Sequence, residues 1–589
     1  MIHVIAYFYH PNDVSGGNLI GSDPYYWMVV FRDLVESGEW FNLVIERSNA
    51  PYGESWFRTH PFLLLLLLVY APLRLFLETP VAIHYSAIVL PPLLHLMTAV
   101  VGMWASAPLL GRQKYWVVPV LAFQFPILIQ GVPGRADHHL VMLMIFLLTL
   151  GCCLRVLLAE KKVRAAFWAG MLAGLGLWIS VEMMLGLALA YSVMGLFWLF
   201  SEVCRLDGPS VLRANLALCV GVVLSLGIAV LLEYPLGQHL TPEYDRVSVV
   251  YLVMTLLALC VWGGIFLCVR GGANMSRPAI RLLLLGGGVM AALAALALAY
   301  PDFYQGPLGR NDDQEMLHLL NEATGEMVAA HKSSLNWWLA TLIPPLIGVG
   351  LVRWAMAREQ AVPKKLGWAG LAAILVMFVL LVFFYKIRFW VYSTALTALL
   401  VAGFVGWVVD YSHQHMRHLT GALVRIPTIL IAILGSLALL AAPSGSKMSV
   451  DTAGCKTIDI APSLNQFQEE AIVFSALLFD GPELLYRTPH AVLGTPYHRN
   501  KQGIIDTFRA MRSPASGAIP AMIVERGIDY ILVCKTGDPS RFLAAPIDAG
   551  SLYTHLVTGQ PPPWLQPVPL TEPRARNYAL YKVNIDASH

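Results

Sequence analysis

Apolar residues in this chain come in long unbroken runs, with little of the polar alternation that marks a half-buried surface. Twelve runs, at 80–104, 115–132, 139–158, 165–181, 183–200, 214–232, 249–269, 280–300, 335–352, 366–385, 388–409 and 424–442, approach the length that crosses a bilayer as a helix. The run PFLLLLLLVYAPLRLFL at 61–77 is equally apolar, but a full span there would reverse every loop before the next helix and put RQK outside. It is read as a membrane-embedded helix that does not span. From residue 443 the hydropathy drops, Pro and Gly punctuate, and short β-rich runs such as AMIVERGIDYILVCK appear. The pattern predicts a helical membrane domain over 1–442 and a small C-terminal α/β domain over 443–589.

Composition agrees: 57% of residues are hydrophobic and only 13% charged, which fixes the class as an all-α polytopic membrane protein with a small appended domain. The net charge of +3, scattered through short loops, leaves no nucleic-acid footprint. Charge sets orientation instead. Alternate loops and helix ends hold Arg112 and Lys114; Lys161, Lys162 and Arg164; Arg205 and Arg213; Arg270, Arg277 and Arg281; Arg353, Arg358, Lys364 and Lys365; and Arg417 and Arg425, the mark of a cytoplasmic side. The opposite loops carry only Arg135, Arg246, Arg310, Lys332, Lys386 and Arg388. With them lie the first outer loop 22–60, the outer loop 301–334 and the tail, all expected outside the cytoplasm at a bacterial inner membrane.

The chain opens MIHVIAYFYHPNDVSGGNLIGSDPYYW, with neither a signal peptide nor a first span, so it is expected to insert with its N-terminus outside or to start further upstream. Of eight cysteines, six lie in or beside apolar segments and read as buried thiols. Cys455 and Cys534 fall in the tail, where a disulfide is possible only in an oxidising compartment.

Candidate chemistry collects on the outer face. The stretch GVPGRADHHLVML at 131–143 sets Asp137, His138 and His139 at the lip of an apolar helix, a costly place for ionisable groups that have no task. Asp23 in GSDPYYW, Glu322 in NDDQEMLHLLNEATGEM, and Lys386 with Arg388 in YKIRFWVY share that face. Such a set suits transfer from a phosphate-linked lipid. A divalent metal held by Asp137, His139 and other carboxylates would offset charge on a leaving phosphate, and one imidazole among oxygens leans toward Mn²⁺ over Mg²⁺. Arg388 would clamp the phosphate, and Asp23 or Glu322 would orient or deprotonate the acceptor. Each residue also has a plainer reading. Asp23 can cap a helix opening at Pro24, Asp137 and His139 can be a solvated helix start, and Arg388 can be an interfacial side chain reaching for water. Glu182, near a boundary between two short spans, is read as structural.

The segment SDPYYWMVVFRDLVESG at 22–38 resembles the DPYYWLR and LVE-x-G opening of the first outer loop in the catalytic subunit of oligosaccharyltransferase, a GT-C glycosyltransferase with single-subunit bacterial and archaeal versions. NAPYG at 49–53 resembles that family's short WYPLG-like stretch, and GRADHH at 134–139 its G-x-x-D-x-E/H pattern. LLNEA at 319–323 resembles the motif ending in a catalytic-loop glutamate, and IRFWVYSTALTALLVAGF the RF-containing helix. The resemblance implies Asp23, Asp137 and His139 as metal ligands, Glu322 as a metal or acceptor contact, and Arg388 as the clamp on the donor phosphate. The chain departs from the family at WWDYG, which reads the acceptor hydroxyl residue. The only WW here is Trp337-Trp338, inside a predicted span, and Phe479-Asp480-Gly481 in LFDGPELLYRTPHAVLGTPYHRN is the nearest tail counterpart. The family's first transmembrane helix also has no counterpart.

A changed acceptor is therefore expected. Asp480, Tyr497, His498 and Arg499 are candidates to line its site, with an ordinary strand-and-turn surface as the alternative. The expected activity is metal-assisted transfer of a sugar or glycan from a polyprenyl phosphate or diphosphate to a lipid, polysaccharide or protein hydroxyl in the periplasm or cell envelope. Protein N-glycosylation is the runner-up. From other classes, a lipid-linked saccharide transporter or flippase and an inactive scaffold stay open, although the polar residues gather on one face rather than at mid-bilayer.

Overall fold

A computed structural model describes residues 2–10, 12–42, 44–158, 162–272, 277–307, 314–324, 327–441, 455–467, 469–515, 518–536, 548–570 and 572–585. Among these, ten helices are long and apolar enough to cross a membrane, and the chain is a multi-pass membrane protein. The difference from twelve lies at two of the predicted spans. Helix Thr79–Leu110 ends at Gly111, whose φ of 55° and ψ of −119° turn the chain back. The return is antiparallel, bringing Val117 and Leu121 against Gly102 and Gly131 against His95. It is a broken path of a 3₁₀ turn at Gly111–Trp116, helices Val117–Ala122 and Phe125–Leu128, and a second 3₁₀ turn at Ile129–Gly131. Pro126 prevents continuity, because its ring would meet the carbonyl of Ala122, where the first of those helices stops.

The other predicted span, 165–181, is helix Lys162–Ile179, made less apolar by Lys162 and Arg164 in its first turn. It lies so close to helix Gly208–Glu233 that a Cβ on Gly170 would fall 2.1 Å from the Leu218 carbonyl oxygen. Glycine at such a contact lets two backbones meet where lipid supplies no hydrophobic drive for association. Helix His60–Leu73 has 14 residues, or about 21 Å at 1.5 Å per residue, too short for a hydrocarbon core of about 30 Å.

One end of the bundle collects the first outer loop, the turn before His139, the 234–248 loop and the C-terminal domain, as contacts between them show. At other helix ends arginines lie over indole rings, Arg155 at 3.7 Å from Trp104 and Arg358 at 4.3 Å from Trp354.

Strands β1 (Val44–Ile45) and β2 (Glu54–Ser55) form a small hairpin in the first outer loop. The C-terminal domain holds β3 (Ile472–Ser475), β4 (Ala491–Val492), β5 (Tyr530–Cys534), β6 (Leu565–Val568) and β7 (Tyr578–Val583), in the order β4-β3-β5-β7-β6. The β3 contacts with β4 and β5 are parallel, those of β7 antiparallel. Successive residues face opposite sides, so Val473 and Leu532 pack toward the first outer loop's core while Phe474 and Ile531 pack with Ile504 and Phe508. The boundary expected at 442/443 falls within 442–454, outside the described residues. A disulfide joins Cys455 to Cys534.

The domain is stitched to the first outer loop through backbone. Ala50 N donates to the Val492 carbonyl (3.1 Å) and Val492 N to the Arg47 carbonyl (2.8 Å). Helix Ser22–Ser37, with Pro24 to Phe31 all buried, packs on both Thr79–Leu110 and the short helix Gly481–Arg487. One apolar core thereby runs from the membrane helices into the domain.

Candidate functional site

Helix Ser22–Ser37 starts after Gly21 without a side-chain cap, so Asp23 in its first turn is not spent on capping. Gly134, at φ +82°, accepts from Ile20 N through its carbonyl (2.9 Å) and draws the GRADHH turn onto the segment before that helix. A side chain there would be strained and would crowd Val14. The consequence is convergence: ligand atoms of Asp23, Asp137 and His139 lie within 4.8 Å of one another, and His139 Nε2 is 3.2 Å from Asp137 Oδ2. Two carboxylates and one imidazole are a donor set that fits a divalent cation.

Arg58, which no motif singled out, lies between the two acids. Its Nη2 donates to Asp23 Oδ1 (2.8 Å), and Nη1 approaches Asp137 Oδ1 at 3.4 Å. The guanidinium sits 5.3 Å from the Trp27 ring and 5.7 Å from that of Tyr497. Its Nε is buried and meets no acceptor among the described residues. Burial alone would push the Asp137 carboxyl up, but the His139 and His138 imidazoles and Arg58 reverse this and hold it well below the usual range.

Tyr497 reaches the same cluster from the C-terminal domain, its hydroxyl donating to Asp23 Oδ1 at 2.8 Å. Its ring stacks on Tyr26 at 3.9 Å. His498 Nε2 lies 2.8 Å from Asp245 Oδ2, and Arg499 pairs with Asp245 (2.6 Å) and Glu243 (3.1 Å) in the loop before helix Val249–Arg270. Asp480 ends the 3₁₀ turn Leu478–Asp480 and accepts from Ser475 Oγ at 3.3 Å. It keeps partial solvent exposure, yet burial, then Glu483, push its carboxyl up to about 7.

Arg388 sits in the 3₁₀ turn Ile387–Phe389, held by Ile387 N donating to the Val328 carbonyl (2.9 Å). Its Nη2 lies 2.5 Å from Glu182 Oε1. Glu182, read from sequence as structural, is thus bound to the predicted phosphate clamp. The next residue, Met183, borders an apolar cavity with Phe146, Cys153, Leu187, Leu371 and Ile374, between helices His139–Leu158, Met184–Leu199 and Val362–Phe384. Glu322 belongs to helix Gln314–Ala323, but its side chain lies outside the described ones. Trp337 and Trp338 are in helix Leu335–Arg358, against Trp390 and Phe383.

Two further buried carboxylates escaped sequence reading. Glu54 is fully buried and accepts from Tyr26 (2.5 Å), Ser48 (2.5 Å) and Thr495 (2.7 Å), which ties the β2 strand to the C-terminal domain. Glu233 accepts from His60 N (2.8 Å) and Trp178 Nε1 (2.6 Å), pinning the short helix to the bundle. Neither stands in a pattern that sequence alone would flag.

No protein-family model matches the chain, and no curated protein sequence matches it. Solved structures do. An archaeal oligosaccharyltransferase, AglB from Archaeoglobus fulgidus in complex with an inhibitory peptide and a dolichol-phosphate, superposes with a TM-score of 0.66 at 12% identity, over 88% of this chain and 66% of that one. The apo form of the Archaeoglobus fulgidus enzyme gives 0.62 at 12% identity, over 90% and 68%. Its complex with Zn and sulfate gives 0.55 at 13% identity, over 88% and 64%. The chain spans about two thirds of the length of these structures. At this identity the likeness is one of fold, and the chain has the GT-C, oligosaccharyltransferase-like fold that its outer-loop motifs resemble.

Proposed function

We propose that this protein is a membrane glycosyltransferase that moves a sugar or glycan from a polyprenyl phosphate or diphosphate to an acceptor outside the cytoplasm. The observation that carries the reading is the convergence of Asp23, Asp137 and His139 at the end of the bundle where the C-terminal domain docks. The dolichol-phosphate and inhibitory peptide on the archaeal neighbour, and its Zn and sulfate complex, support a lipid-phosphate donor and a cation at such a fold. The Cys455–Cys534 disulfide supports an oxidising, extracytoplasmic setting for the domain.

Asp23, Asp137 and His139 would hold the divalent metal, Mn²⁺ ahead of Mg²⁺ by the donor set. When bound, the ion supplies positive charge against the phosphate that leaves the donor. The chain does the rest. The cavity beside Met183 takes the isoprenoid tail, and Arg388, two-pronged and already oriented by Glu182, holds the phosphate. The acceptor oxygen attacks the anomeric carbon as the bond to the phosphate oxygen breaks. Glu322, the carboxylate not spent on the metal, takes the acceptor proton. With WWDYG reduced to Phe479-Asp480-Gly481, the favoured acceptor is a hydroxyl of a lipid, polysaccharide or protein rather than a sequon asparagine.

The test compares cells lacking the protein with cells carrying wild type or Asp137→Ala, profiling glycans on proteins, envelope lipids and secreted polysaccharide by mass spectrometry. Loss of one glycan class in both the deletion and the mutant is expected and names the acceptor. A mutant indistinguishable from wild type would favour the transporter or scaffold reading instead.

A further inference from the structure

Asp23 Oδ1 accepts two hydrogen bonds, from Arg58 Nη2 and from the Tyr497 hydroxyl, each at 2.8 Å. Two donors on one oxygen fix the plane of a carboxylate, and with it the direction in which the other oxygen offers a lone pair. One donor belongs to the first outer loop. The other comes from a separately built domain, reached only after the remaining membrane helices.

That domain is held in place by arginines whose partners lie in the membrane part. Arg499 binds Asp245, Arg487 reaches Asn18 Oδ1 (2.8 Å) and the Tyr25 hydroxyl (2.9 Å), and Arg526 donates to the Ala50 carbonyl (2.8 Å). Arg487 and Arg526 grip the stretches flanking and following Asp23, so movement of the domain would be felt at the Tyr497 contact.

We propose that Tyr497 is a positioning residue of the metal centre: the C-terminal domain orients Asp23 through this hydrogen bond, and the centre reaches full affinity for a divalent cation only with the domain docked. The inference rests on the metal-assisted reading above. Partners that orient a metal ligand from outside the coordination sphere commonly change affinity about 10- to 100-fold when removed. Tyr497→Phe isolates the effect, because the ring remains to stack on Tyr26.

The experiment titrates Mn²⁺ into the purified full-length protein by calorimetry and by the electron paramagnetic resonance signal of free Mn²⁺, with melting temperature in metal-free buffer as the fold control. Wild type is expected to bind one ion, Asp137→Ala to lose it, and Tyr497→Phe to bind about tenfold more weakly at a melting temperature close to wild type. Arg499→Met, which loosens the dock without touching Asp23, should shift affinity in the same direction. If Tyr497→Phe binds as tightly as wild type while Asp137→Ala does not bind, the positioning role is overturned and the metal site stands. If wild type itself takes up no Mn²⁺, both readings fall. If only Arg499→Met is without effect, the requirement for a docked domain is overturned.

Discussion

Arg58 donates to Asp23 at 2.8 Å and approaches Asp137 at 3.4 Å, so a side-chain cation already lies between the two carboxylates proposed to ligate a metal. The local charge follows: two carboxylates and one guanidinium leave a net −1, which a divalent ion would turn to +1, the sign a phosphate anion needs. The site is attractive to a cation and, with the cation bound, to an anion.

Removing Arg58 leaves the two acids uncompensated. Breaking a fully buried pair costs about 3–5 kcal/mol, and less is expected here because the Asp23 side chain keeps 29% exposure. A ligand that binds only the folded state returns about 2.7 kcal/mol at a hundred times its Kd. Arg58→Met should therefore melt below wild type in metal-free buffer, and Mn²⁺ should raise its melting temperature more than it raises that of wild type. An equal deficit at zero and saturating Mn²⁺ would separate Arg58 from the metal centre.

Arg388 and Glu182 meet at 2.5 Å beside the apolar cavity. A planar fork grips phosphate through two parallel hydrogen bonds while remaining paired behind, which a lysine ammonium does not reproduce. Arg388→Lys should raise KM for the lipid-phosphate donor by about tenfold, with a smaller change in KM for the acceptor. Steady-state kinetics with each substrate varied in turn checks this. Equal changes in both KM values would point to a general disturbance of the fold.

The parts of this site that sequence discloses are those with short-range pattern. Asp137 and His139, two residues apart at the lip of an apolar helix, carry their own alarm, and DPYYW adds Asp23 through resemblance. Arg58 has no such spacing. A lone arginine in a loop is ordinarily a solvated charge, and it gains its role only because the first outer loop folds back onto the GRADHH turn. Tyr497 is legible as a candidate, from the polar density of TPYHRN, but not as a partner of Asp23, since the contact depends on how the domain docks. The pairing of Glu182 with Arg388 is illegible for the same reason, being made between segments distant in sequence. Hydropathy locates the 115–132 segment but misses its shape, because a sum over residues ignores the break imposed at Pro126.

The disulfide between Cys455 and Cys534, 79 residues apart, closes about half of the C-terminal domain into one loop. In the chain-entropy account, closing a loop of that size in the unfolded chain is worth about 4–5 kcal/mol. The paired variant Cys455→Ser with Cys534→Ser, or wild type under reductant, should unfold at a lower temperature, and the two deficits should match. A melting curve indifferent to reductant would show that the bond contributes nothing to the fold's stability.

Asp480 carries a pH dependence whose sign is fixed. Its carboxyl is pushed from an ordinary value of 3.8 up to about 7, by burial first and by Glu483 second. In the unfolded chain it ionises near 3.8 and in the folded protein only near 7. Between those values the unfolded state binds fewer protons, so this residue's contribution is intact below pH 4 and is lost as pH rises through about 7. Asp480→Asn removes the titration while keeping the acceptor oxygen for Ser475. A tenfold change in an ionisation constant corresponds to about 1.4 kcal/mol, and after discounting for partial exposure the variant should exceed wild type by about 1–2 kcal/mol at pH 8. The two should be nearly equal at pH 4. Unfolding curves of the full-length protein at pH 4, 6 and 8 measure that widening gap. A gap that stays constant would mean that Asp480 ionises in the folded protein as it does in the unfolded chain, and that Leu478–Asp480 is an ordinary solvated turn.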